Sequence, residues 1–282
     1  MIKNVLALCV VFSTNVYALD VISEDDLSAI SAQDGISVLV ALPAAGWKAN
    51  EVSLTDTNGI NASIVAGYAT AGTIVATTVG FNACANAACT TAGSIKFDVD
   101  MVGDHNGVAV GGGAMLNMAF SLTGGATKMR FYIDDIRLRN GPSGINEVVL
   151  VDFLQNHVDV TPIGSSTLFA VQLGNESLGH MLHFTNGNFG TIDFGTVAFL
   201  DKQTPTNSLR FGFKLDEFDI TDTGFDINLD GLVYTAADFG KSLMDITLSD
   251  IKMGGAAAAS IGSIGIQNLK VTNLVLTISG KS

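Results

Sequence analysis

Six stretches of the chain share one spelling: two apolar residues in alternation, a pair of polar or small residues, then two more apolar residues in alternation. They run Phe131–Ile133 with Ile136–Leu138, Ile192–Phe194 with Val197–Phe199, and Phe213–Leu215 with Phe218–Ile220. They continue with Ile227–Leu229 and Leu232–Tyr234, Ile246–Leu248 and Ile251–Met253, and Ile264–Ile266 and Leu269–Val271. In a flat strand the side chains alternate faces with period two, so the apolar set would change faces at each middle pair. An extra residue at a bulge restores the face and bends the strand; a corner between two sheets does the same. The spelling therefore predicts long, bent, antiparallel strands with both apolar flanks of each copy on one interior. The starts at 192, 213, 227, 246 and 264 keep no single period, which argues for an irregular meander rather than a solenoid.

Composition agrees with that reading. The chain has 31 Gly and only 4 Pro, as expected for many strands joined by Gly-rich turns. The predicted fold class is all-β: an antiparallel, Gly-rich meander of long bulged strands, a sandwich or curled half-barrel, with a short N-terminal helix. An outer-membrane barrel is disfavoured, since such barrels carry aromatic girdles and this chain has 1 Trp and 4 Tyr. The formal net charge of −13, without a Lys/Arg cluster, excludes nucleic acid as an expected partner.

The first eighteen residues read as a secretory signal peptide: Lys3, a short apolar run from Val5 to Phe12, and small residues around Ala18. That run is too short to span a bilayer, which takes about 20 apolar residues, and no second one follows, so no transmembrane span is expected. Residues 19–35 should form a helical cap, with Ser23 at its start and Glu24, Asp25 and Asp26 where the helix dipole favours negative charge. Residues 36–282 should form a single β-rich domain, with early strands at 36–42, 51–55, 60–66, 73–79 and 95–101.

Two groups could carry chemistry. Cys84 and Cys89, in CANAAC, are the only cysteines after the leader, and in an exported chain they read as a disulfide closing a local loop. Asp226, Asn228 and Asp230, followed by Gly231, match the first half of a calcium loop, although position twelve is Ala237. The same residues alternate with Ile227 and Leu229, as on any strand with one wet face. His105, His157, His180 and His183 form no recognised set, and Gly111–Gly113 lacks the strand-to-helix context of a phosphate loop. Nothing assembles into a catalytic constellation, so an enzyme is not expected, nor any cofactor beyond that calcium.

The stretch Leu27, Ser28, Ser31, Ala32, Gln33, Asp34, Gly35, Ile36 spells L-S-x-x-S-A-Q-D-G-I directly after the leader. It resembles the start of a group of exported proteins of Gram-negative bacteria, some named as components of a Fil-type pilus system; Ala32 stands where that group usually has Gly. The resemblance implies export and an association with the cell surface, outer membrane or periplasm. The expected function is a structural or interaction protein, pilus- or adhesion-associated, whose partners are other surface or pilus proteins or further copies of itself. The alternative is a periplasmic carrier of lipid or another hydrophobic ligand, because similar apolar-Asp/Asn-apolar strands occur in AsmA-like lipid-transport proteins with curled β grooves.

Overall fold

The computed structural model describes residues 35–56, 72–102, 115–140, 147–164, 167–174, 181–201, 208–228 and 231–278. The leader, the expected helical cap, the strand expected at 60–66, Gly111–Gly113, His105 and His180 lie outside the described residues. Fourteen strands make up the remainder, and every pairing between them is antiparallel. They are β1 Ile36–Ala41, β2 Trp47–Thr55, β3 Gly72–Cys84, β4 Ser94–Val102, β5 Met115–Thr123, β6 Lys128–Tyr132 and β7 Asp135–Asn140. The second half holds β8 Glu147–Phe153, β9 His157–Thr161, β10 Thr167–Gly174, β11 Leu182–Leu200, β12 Ser208–Asn228, β13 Gly231–Gly254 and β14 Gly262–Ile278. The all-β, antiparallel class expected from the spelling is what the chain adopts. Among the described residues no helix is long and apolar enough to cross a membrane.

β11 organises the sheet. One side of it pairs along its length with β12, which leads to β13 and then β14. The other side is shared. Residues 182–187 pair with β10, which continues to β5, β4 and β1, whereas Thr191–Asp193 pair with β9 and Val197–Phe199 with β8. From β9 and β8 the order runs through β6 and β7 to β3 and β2. The core forms where these two arms face one another. Leu42, Ile95, Leu122 and Leu168 from the β1–β4–β5–β10 arm pack with Ala83, Met129 and Val160 from β3, β6 and β9. A row of aromatic rings strengthens the first arm, from Phe97 through Phe120, Phe169, Phe184 and Phe225 to Tyr234, with successive centroids 4.2–6.3 Å apart. Such cross-strand aromatic pairs are the favourable units of sheet stability.

The middle pairs of the spelling sit at bends, and the bends line up. Asp134-Asp135 lies at the break where β6 gives way to β7, opposite Thr78 on β3, which has φ of 52°. The Asp134 N–H donates to Thr77 O (3.0 Å), and Asp134 Oδ1 accepts from Asn156 Nδ2 (2.8 Å) at the β8–β9 corner. The row continues through Gly195-Thr196, where φ of Gly195 is 59°, to Gly212 and Ser249-Asp250, where φ of Asp250 is 51°. A second row joins Gly190, Asp216-Glu217, Leu243 and Gln267-Asn268, each with one left-handed residue. One copy departs from the expectation. Asn228 at the end of β12 pairs with Gly231 at the start of β13, so at the fourth copy the chain reverses instead of bulging.

Candidate functional site

The bends create an apolar trough. β11 carries Phe184, Phe189, Phe194 and Phe199, spaced by five, and the repeated Phe-Gly-Thr at 189–191 and 194–196. An odd spacing would put successive Phe rings on opposite faces of a flat strand. Extra residues on β11 at Thr185, against β10, and at Phe189 and Phe194, against β12, offset this, so one bulge accompanies each five-residue step. Each Phe then meets a Phe of β12: Phe184 with Phe225, Phe189 with Phe218, Phe194 with Phe213 at 4.8 Å and Phe199 with Phe211 at 5.9 Å. Phe189 and Ile192 pack on the core. Phe194, Val197 and Phe199 instead line a cavity of about 380 Å³ beyond it, so for this copy both flanks of the middle pair do face one interior.

The trough crosses five neighbouring strands. Ile136 comes from β7, Val151 and Phe153 from β8, the three residues above from β11, Phe211 and Phe213 from β12, and Leu248 from β13. Every described lining residue is apolar. The reason lies in β11: the β10 arm covers only its first half, so the inner face of its second half has no second layer made by the described residues.

The opposite face of this arm is charged and internally paired. Arg137 bonds Asp135 (2.7 Å) and Glu147 (3.1 Å), and Arg139 bonds Glu51 (2.8 Å) and Glu147. Bonds from Arg137 lower the Asp135 pKa, burial opposes this, and Thr77 adds to the lowering. Next to them Asp159 accepts from Arg130 (2.7 Å) and from Lys128. Burial alone would raise the Asp159 pKa, but those two cations outweigh it and hold the carboxyl below its ordinary value. Burial, then the Arg130 charge, push the imidazole of His157 down, so its 3.9 Å approach to Asp159 is that of a neutral ring. These groups satisfy one another, which suits a structural ion-pair network rather than acid–base chemistry.

The sequence-predicted site residues fall elsewhere. Cys84 and Cys89 are joined, with Cα atoms 4.7 Å apart and both side chains buried. Their loop closes the end of β3: Cys84 O accepts from Thr127 N–H, and Asn82, fully buried, donates to Ala44 O at 3.0 Å. Asp226 lies on β12 and accepts from the Met181 N–H at 3.0 Å. The side chain of Asn228 and all of Asp230 lie outside the described residues. Among the described residues no cluster of three His, Cys, Asp or Glu could hold a metal. The trough was not among the expected sites, although the five-residue Phe spacing with its Phe-Gly-Thr repeat carries its signal.

A second feature is the last strand. Among the described residues β14 pairs only with β13, and its side chains are exposed along almost all of its 17 residues. Ile264, Ile266, Val275, Leu276 and Ile278 are between 47% and 69% exposed. Lys270 is its one charge.

Comparison of the chain with protein-family models, with curated proteins and with solved structures returns no match.

Proposed function

We propose that this chain is an exported structural or interaction protein of the bacterial cell surface, pilus- or adhesion-associated, that works by protein contact through the β14 edge. One observation carries the reading: β14 is a long edge strand with apolar side chains exposed and one charge. Edge strands offer a row of unpaired N–H and C=O groups, and natural proteins blunt them with charge, shortness or cover when they are not used. β2, another edge, is blunted in that way, since Glu51 is tied to Arg139. β14 is bent at Asn268 and Asn273, and no described strand pairs with its outer side. The matching chemistry is β-strand addition, in which a partner's extended segment takes the backbone bonds and alternate side chains set specificity. The leader-like start and the L-S-x-x-S-A-Q-D-G-I box place that partner outside the cytoplasm in this reading.

The test is crosslinking on whole cells of the native host. A Val275→Lys, Leu276→Lys double variant should be exported and folded yet lose its crosslinks to other surface proteins or to itself. Unchanged crosslinks, or protection of the protein from protease added to intact cells, would remove the reading.

A further inference from the structure

We infer that the trough on the second half of β11 is a binding site for one acyl chain of a single-tailed amphiphile, a free fatty acid. The site lies apart from the β14 edge, so either proposal can fail without the other.

The chemistry of the walls selects the ligand. Among the described residues no polar side chain lines the trough, so a polar group pressed against its walls finds no hydrogen-bond partner there. That disfavours a peptide strand, a sugar or a nucleotide and favours hydrocarbon. The cavity of about 380 Å³ is of the size that takes a small ligand. Its length follows from the strand order. Five adjacent strands from β7 to β13 at ~4.8 Å spacing span about 19 Å. Carbon–carbon bonds of ~1.5 Å in a zigzag advance ~1.25 Å each, so an extended chain of about fifteen carbons fills it. Stacked Phe194/Phe213 and Phe199/Phe211 form part of its walls, and the lining from β7 to β13 makes it cross the strands rather than follow one of them. A cavity of that volume takes a single tail. The described walls hold no cation or donor to fix a phosphate headgroup, so a carboxylate left in solvent suits the site better than a diacyl phospholipid.

The test uses the folded, delipidated chain and displacement of the fluorescent fatty acid cis-parinaric acid by saturated fatty acids of increasing length. Affinity should tighten roughly tenfold for every two added carbons, as each methylene leaves water, and level off at about sixteen carbons. Phe199→Asp, at a half-exposed position, should weaken binding at least tenfold, and Phe199→Ala severalfold, with unchanged circular dichroism. Leu276→Asp on β14 should bind like the unmodified chain. Absence of saturable binding, affinity indifferent to chain length, or equal binding by both Phe199 variants would overturn the site. So would a dimer that Phe199→Asp converts to monomer, since the trough would then be covered by a second copy.

Discussion

Gly190 and Gly195 hold left-handed backbone inside a continuous strand, and their surroundings separate them. A Cβ on Gly190 would lie 2.3 Å from Thr161 O and 2.8 Å from Ile163 N, both main-chain atoms. On Gly195 its three nearest neighbours would all be side-chain atoms of Gln155, at 2.0–2.3 Å, and that side chain can turn away. Gly190→Ala should therefore cost about 2–4 kcal/mol, from the backbone conformation plus the clash, and Gly195→Ala about 1–2 kcal/mol. Urea denaturation of the two variants checks the order. Titration makes a second contrast. Asp135 has a lowered folded pKa, so its stabilisation is present above the unfolded value and disappears as pH falls through the folded one. Asp152 is the opposite: burial, then the Asp135 charge, raise its pKa, so its contribution is present in acid and lost as pH rises through the folded value. Asp152→Asn should accordingly raise the melting temperature at pH 7 and leave it unchanged at pH 3, whereas the destabilisation by Asp135→Asn, full at pH 7, should shrink only as pH falls below the ordinary carboxylate range.

Within single elements, the bent-strand spelling can be tested against its neighbours. Val197 is buried and Thr196, the residue before it, is exposed. Val197→Asp should place an unpaired charge in the trough wall and cost about 3 kcal/mol or more, whereas Thr196→Asp should stay within ~0.5 kcal/mol. Equal tolerance of both in a thermal melt would contradict the register of β11. The Cys84–Cys89 loop belongs to this scale as well. Closing so few residues removes little chain entropy, so the double Cys→Ala variant should lose about 2 kcal/mol and still fold. The strand at 36–41, the alternation of 95–101 and the bends at Asp134, Gly195, Glu217, Asp250 and Asn268 were all legible, because period two and a polar or small interruption are local properties. The fourth copy carried the same spelling, yet the chain reverses there, with Asn228 paired to Gly231, a choice that depends on turn chemistry rather than on apolar period.

In the molecule as a whole, stability should be uneven. β11 is paired on both sides and contributes to both core and trough, while β14 has one neighbour among the described strands and exposed side chains. Amide exchange in β14 should be ~100-fold faster than in β11 or more; equal protection would mean that β14 is covered in solution, as the contact reading requires of the assembled state but not of the isolated chain. By itself the sequence determined the class: alternating apolar residues, interruptions that tolerate left-handed backbone, and Gly-rich turns specify antiparallel bent strands whatever they pair with. Only the tertiary structure decided that β10 takes one half of β11 while β9 and β8 take the other, through pairings such as Phe169 with Gly187 and Val151 with Phe199. Those partners lie far apart in sequence and are chosen by the packing of Leu122, Val160 and Ile192 in a shared core. The trough exists because that core ends partway along β11, which no local pattern records.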